Sequence, residues 1–269
     1  MIFDFHTHIF PDKIVSRAVS VLKQNIIDVR GIEPRMYGEP TLSGIKASME
    51  KNNVDFSLVL PIATNVKQSE SINSFADIVN KDEKLYSFGS VHPYQDNAEE
   101  ELEKIKGMGF KGIKLHPQYQ DVYITDTKCR TVLKKCEELG LIVTVHAGID
   151  IGMLPPVKCT PQMIYDVMQS TPDLKLVAAH MGGWSMWDDV KKYLIGTNIY
   201  FDTSFSYEFM ADGMFSEFLS THENILFGTD FPWGNAADEI KYISSLVTDD
   251  GRLSDIMHGN AERLLGIRA

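Results

Sequence analysis

Apolar residues in this chain follow two alternating rhythms. Short, nearly unbroken apolar runs are separated by longer segments in which apolar residues recur every three or four positions. The runs predict strands buried on both faces, and the periodic segments predict helices with one buried face. Strands are expected at residues 2–8, 54–62, 85–91, 112–116, 141–146, 174–180, 199–203 and 225–229. Helices are expected at 11–24, 42–52, 68–81, 96–107, 127–139, 185–194, 207–220, 237–247 and 253–265, with a further one opened by Thr160 as cap and Pro161 in its first turn. Ile14, Ala18, Val19 and Leu22 mark the inner face of the first helix, and Phe215, Phe218 and Leu219 that of the seventh. Residues 25–41, with Gly31, Pro34, Gly38 and Pro40, read as a long loop of the kind that covers a site.

Eight strands, each followed by a helix, predict parallel pairing through right-handed crossovers, and eight such units close into a barrel. The expected fold is therefore α/β: a (β/α)8 TIM barrel forming one domain over residues 1–269, without linker, low-complexity segment or solenoid repeat. Composition narrows the function classes. The net charge of −11, with no basic stripe, speaks against nucleic acid as a partner. No apolar run reaches the length of about 18 residues that a membrane span needs, and no basic segment followed by an apolar core opens the chain as a secretory signal would. The three cysteines, Cys129, Cys136 and Cys159, are odd in number and form no C-x-x-C. That favours reduced thiols in a cytoplasmic protein, with Cys129 and Cys136 packed in the core.

In barrels of this kind, side chains at the C-terminal ends of the strands converge on one mouth, which is where a metal site is expected. His6 and His8 lie two apart on strand one, a spacing that puts both rings on one face about 6.5 Å apart along the strand, within reach of one ion at about 2.0–2.1 Å. Asp4 is expected on the same face, one layer deeper, as a carboxylate that could fix a ligand tautomer or hydrogen-bond the barrel floor. Lys114 and His116 end strand four, His146 strand five, His180 strand six and Asp230 strand eight. Imidazoles with a carboxylate and an open position suit Zn²⁺, with Mn²⁺ or Fe²⁺ as alternatives. His92 also ends a strand, but a structural role is favoured. His222 and His258 fall away from the mouth and are expected at the surface. Trp184 and Trp233 each follow a ligand-bearing turn and are candidates to line the pocket.

The ordered set Asp4-Phe5-His6-Thr7-His8, Gly112-Ile113-Lys114-Leu115-His116-Pro117, Val145-His146-Ala147-Gly148, His180-Met181-Gly182-Gly183, Gly228-Thr229-Asp230-Phe231-Pro232 and Asn260-Ala261-Glu262-Arg263-Leu264-Leu265 resembles the amidohydrolase superfamily. It is closest to the branch of aminocarboxymuconate-semialdehyde and resorcylate decarboxylases. That resemblance implies one metal on His6, His8, His146 and Asp230, with His180 beside the water or substrate. His180 and Asp230 are then the catalytic residues, moving a proton to the leaving group. From their own positions, Lys114 is expected to bind substrate, its ammonium pairing with a carboxylate, and His116, at the same strand end, joins Trp184 and Trp233 as a further substrate-binding candidate, with packing as its alternative. Carbamylation of Lys114 would instead bridge two ions, as in the two-metal branches. The activity implied is hydrolysis of a small lactone, amide or ester, with decarboxylation of an unsaturated or aromatic acid as the alternative. A small-molecule substrate is the expected partner, and a homodimer is a common state in this branch.

Overall fold

The computed structural model describes residues 1–267. Its strands are β1 (Phe3–Thr7), β2 (Phe56–Val59), β3 (Leu85–Ser87), β4 (Gly89–Ser90), β5 (Gly112–Leu115), β6 (Ile142–Val145), β7 (Leu176–Ala178), β8 (Tyr200–Asp202) and β9 (Ile225–Leu226). β3 and β4 are two stretches of the one strand expected at 85–91, interrupted at Phe88, whose N–H still bonds the Val59 carbonyl at 3.0 Å. Every pairing is parallel, in the orders β1-β2-β3 and β4-β5-β6-β7-β8-β9. The last strand meets the first. Phe5 N–H donates to Phe227 O at 2.8 Å, Asp230 N–H to His6 O at 2.8 Å and His8 N–H to Phe231 O at 2.7 Å. These bonds close the barrel and carry pairing past Leu226, where regular strand geometry ends.

Around the strands run α1 (Val15–Arg30), α2 (Leu42–Asn52), α3 (Ser69–Val79), α4 (Ala98–Gly107), α5 (Thr127–Leu139), α6 (Pro161–Met168), α7 (Trp187–Tyr193), α8 (Asp212–Thr221), α9 (Ala236–Leu246), α10 (Asp250–Ser254) and α11 (Asn260–Leu265), the last two joined by a π-helical turn at Asp255–Gly259. Thr160 caps α6 as expected, its Oγ1 accepting from Met163 N–H at 3.2 Å. α1 runs six residues beyond the expected end. Its apolar face continues through Ile26, which is buried, and Gly31 ends it in the left-handed conformation that glycine adopts freely. The loop is therefore 31–41 rather than 25–41.

Phe3, Phe5, Leu58, Leu60, Phe88, Ile142, Val177 and Leu226 come from strands all around the barrel, and with Leu264 and Leu265 of α11 they form one buried cluster. A larger cluster packs the opposite strand faces against the helices and includes Cys136, while Cys129 is buried beside it. All three cysteines are free thiols. Among the described residues, no helix is long and apolar enough to cross a membrane.

Candidate metal centre

The strand register on β1 decides which side chains enter the mouth. Asp4 pairs with Ser57 but Thr7 with Val59, so three steps on β1 match two on β2. This bulge breaks the side-chain alternation. His6 and His8 reach the mouth, whereas Asp4 and Thr7 line a small cavity with Ile45 and Met49 of α2. Asp4 accordingly does not sit one layer below the two histidines. Its carboxylate accepts from Thr229 N–H (2.9 Å), Thr229 Oγ1–H (2.6 Å) and the backbone N–H of His6 (3.2 Å), and it meets no imidazole ring. Burial pushes its pKa up to about 7.

At the mouth, His8 Nε2 lies 3.2 Å from His6 Nε2 and 3.1 Å from Asp230 Oδ1, with His6 Nε2 3.6 Å from the same oxygen. The outer nitrogens fix the tautomers. His8 Nδ1 donates to the carbonyl of Leu60 at 2.8 Å, an atom that can only accept. His6 Nδ1 faces the carboxylate of Asp202 at 2.8 Å. In neutral rings both Nε2 atoms then carry lone pairs, so three acceptor atoms converge on one point. Burial and the nearby Lys114 ammonium hold His6 neutral, with a pKa near 3. Burial raises the Asp230 pKa, but the imidazoles of His8, His6 and His180 gathered around its carboxylate outweigh it and leave about 2. Three clustered lone pairs repel unless a cation lies among them, and two imidazoles with one carboxylate suit a divalent metal. The residues present therefore fit the implied ion.

Lys114 Nζ is 3.2 Å from His6 Nε2, the same ring nitrogen that faces His8 and Asp230, so its ammonium donates to that nitrogen on the edge of the centre. Burial lowers its pKa to about 8, with Asp202 and Asp230 opposing. His180 Nδ1 donates to the Ser204 carbonyl at 3.0 Å, and its Nε2 faces His146 Nδ1 at 2.9 Å. His146 stacks on His116 (4.1 Å, 14°) and groups with His116 and Asp150 rather than with His6, His8 and Asp230. His116 turns its Nε2 to Asp150 at 3.3 Å and its Nδ1 to Tyr119 N–H at 3.3 Å.

Two residues the sequence reading passed over hold this arrangement. Asp202, at the end of β8, accepts from His6 Nδ1–H, from the backbone N–H of His180 (3.0 Å) and from Ser204 Oγ–H. Although burial works against ionisation, the contact with His6 keeps it a carboxylate, well below the usual range. Ser204 Oγ also touches His180 Nδ1 at 2.9 Å. The available signal was an aspartate inside an otherwise apolar strand, where an unpaired charge is costly. His180 and Asp230 both take left-handed backbone (φ 60° and 62°), a strained state for non-glycine residues that clusters at functional sites. Gly228 lets β1 approach, since a Cβ there would lie 2.9 Å from His6 Cβ.

Trp184 is half-buried near the mouth, its Nε1–H on Phe205 O at 3.0 Å and its ring packed with Phe209 at 5.4 Å. Trp233 is half-buried three residues after Asp230, its N–H bonded to Asp230 O. His92 is engaged by backbone at both nitrogens. His222 is buried rather than at the surface: it stacks on Phe201 at 4.0 Å and its Nε2 donates to Ile199 O at 2.7 Å. The aromatic face of Phe201 and a barrel-end carbonyl offer the ring a better environment than water. His258 is half-buried beside Ser254.

A closed parallel α/β barrel carrying a histidine–aspartate set at its strand ends defines a class of metal-site barrel proteins. The chain belongs to the amidohydrolase family (amidohydrolase-2), whose model matches residues 3–267. Among solved structures it is similar to 5-carboxyvanillate decarboxylase from Sphingomonas paucimobilis (18% identity, 99% of each chain, TM-score 0.74). A 5-carboxyvanillate decarboxylase from Novosphingobium aromaticivorans, complexed with manganese and a nitrobenzoic acid, matches at 12% identity over 99% of this chain and 96% of that one (TM-score 0.74). A probable 2-pyrone-4,6-dicarboxylic acid hydrolase from Acinetobacter baumannii matches at 16% identity over 99% of each chain (TM-score 0.67). At these identities the likeness is one of fold. No curated protein matches by sequence.

Proposed function

We propose that this protein is a metal-dependent hydrolase of a small carbonyl compound: a lactone, amide or ester. The convergence of His6 Nε2, His8 Nε2 and Asp230 Oδ1 carries this reading, because the tautomers of the two imidazoles put neither ring proton between the three atoms. These residues would hold one Zn²⁺, Mn²⁺ or Fe²⁺, with His146 as the fourth ligand that the family resemblance implies. When bound, such an ion supplies Lewis acidity and brings the pKa of coordinated water towards about 7. In this reading Asp230 and His180 Nε2 would be the groups that accept a proton from water and return it to the leaving group. The Lys114 ammonium, which touches His6 on its Nε2 edge, would pair with a carboxylate on the substrate.

That buried cation and the aromatic cluster of Trp184, Phe205 and Phe209 also support a second reaction, non-oxidative decarboxylation of an unsaturated or aromatic acid. Two of the similar structures are decarboxylases and one a probable hydrolase. A second metal arrangement also has support: His146 Nδ1 and His180 Nε2, 2.9 Å apart, would serve a second ion if Lys114 were carbamylated. A screen of lactones, amides and carboxylic acids with added metal decides between the reactions. Hydrolysis without carbon dioxide release is expected; carbon dioxide from an acid with no lactone or amide turnover selects the decarboxylase. His6→Ala should lose an equivalent of bound metal by elemental analysis, and full retention would refute the ligand assignment.

A further inference from the structure

Asp150 belongs to none of the motifs above, and its charge is left unbalanced. Its side chain is only 10% exposed. Oδ1 accepts from Gly152 N–H at 2.8 Å, while Oδ2 lies 3.3 Å from His116 Nε2 and 3.9 Å from His146 Nε2. Among the described residues no lysine or arginine pairs with it, and burial holds both neighbouring rings neutral. His116 accepts from Tyr119 N–H at Nδ1, so its Nε2–H gives Asp150 a hydrogen bond but no counter-charge. Lys114 is drawn by Asp202 and Asp230 and not by Asp150, and Arg30 Nε–H is spent on the Ile151 carbonyl. A largely buried carboxylate without a cation is costly. It also keeps acceptor capacity, since a carboxylate offers about four lone-pair positions and protein donors fill only part of them.

The surroundings suit a positive group from outside the chain. The Tyr119 ring packs on His116 at 4.3 Å and lies in the field of both Asp150 and Asp230, with Asn25 of α1 bonded to its hydroxyl. An ammonium beside a carboxylate gains further from an aromatic face. The carboxylate is also held rigidly. α1 rests against its loop so closely that a Cβ on Gly152 would lie 3.3 Å from Ile26 Cγ1 and 3.4 Å from Asn25 Cβ. One buried cation, Lys114, thus touches the Nε2 edge of His6, and one unbalanced anion, Asp150, sits on the Nε2 edge of His116.

We propose that Asp150 is a specificity-determining residue that binds a protonated amine of the substrate. The substrate is then a zwitterion: a small carbonyl compound with an ammonium for Asp150 and a carboxylate for Lys114. The proposal rests on the metal-hydrolase reading above and narrows its substrate class. It also excludes dicarboxylates, whose second charge would meet Asp150 as a like charge with no lysine or arginine beside it.

The test is calorimetry on zinc-loaded full-length protein with three flexible probes that differ only in their end group: δ-aminovalerate, hexanoate and adipate. The carboxylate they share cancels in the affinity ratios, and a ratio read within one protein does not depend on the fraction folded. In wild type, δ-aminovalerate should bind about 10- to 100-fold more tightly than hexanoate, with adipate weakest. Asp150→Asn should bring the three towards parity, and Asp150→Glu, which keeps the charge, should retain the ranking. A wild type that prefers hexanoate or adipate, or binds none of the three, would overturn the proposal without recourse to any variant. So would an Asp150→Asn that keeps the ammonium preference while all three probes weaken alike, the mark of a residue that only braces its loop. Failure of the metal-centre reading looks different: zinc is not taken up, or its uptake survives His6→Ala, and the probe ranking can still be read on zinc-free protein.

Discussion

Replacing Lys114 by methionine separates the energetics of the centre from its chemistry. The ammonium is buried, and burial takes its pKa from 10.5 to about 8 against the pull of Asp202 and Asp230. At about 1.36 kcal/mol per pH unit, holding this cation inside costs the metal-free native state about 3 kcal/mol near neutral pH. The sign follows from proton counts. Below about pH 8 both native and unfolded chains carry the proton, and the full cost is present. Between about 8 and 10.5 the native state releases it first, so the unfolded state binds more protons and stability rises with pH. Methionine has similar length, no charge and no titration. Urea unfolding of metal-free protein should therefore find Lys114→Met more stable than wild type by about 2–3 kcal/mol at about pH 7, less the lost contact with His6, and the gap should shrink towards zero near pH 10. A gap of constant size, or a less stable variant at neutral pH, would refute the reasoning. A wild type without the pH-dependent gain that takes up ¹³C-bicarbonate would mean the lysine is a carbamate and not an ammonium.

Asp202→Asn puts a donor opposite the His6 Nδ1–H, driving the proton towards Nε2 and into the ligand set; metal affinity by calorimetry should fall about 10- to 100-fold, and an unchanged value would remove Asp202 from the positioning role. His180→Ala should keep the ion held by His6, His8 and Asp230 while turnover drops about 10²- to 10⁴-fold; loss of that first equivalent in elemental analysis would make His180 one of its ligands.

The barrel was legible because its signals are local. Apolar runs such as Ile142–Val145 and periodic segments such as Thr127–Leu139 depend on neighbours in sequence, and the elements stand where those patterns place them. The misread stretches are those where local signals compete. Residues 25–30 contain Asn25 and Asp28, which weaken a helix pattern, yet Ile26 finds a buried contact and α1 continues to Arg30. His222 precedes a strand and reads as surface, but its ring is taken up by Phe201, a contact that exists only once β8 and α8 are packed.

The site divides along the same line. Imidazoles that end apolar strands are conspicuous, because nothing but function or a partner justifies a polar group there, and His6, His8, His146, His180 and Asp230 could be named without coordinates. What they contact could not be. Period-two alternation put Asp4 with His6 and His8, and one extra residue in the β1 ladder turned it to the helix side, since a single-residue slip moves every later side chain to the opposite face. The carboxylate that meets the His6 ring is instead 196 positions away, on the strand neighbouring β9. Asp150 is hidden for the same reason: it becomes visible only when two stacked rings from adjacent strands turn their Nε2 edges to one oxygen. The candidate ligands are thus written at strand ends, while proton placement on them depends on inter-strand register, and the proposed activity requires both. A variant that keeps every motif but shifts the β1 bulge by one residue should lose the metal centre while retaining the barrel.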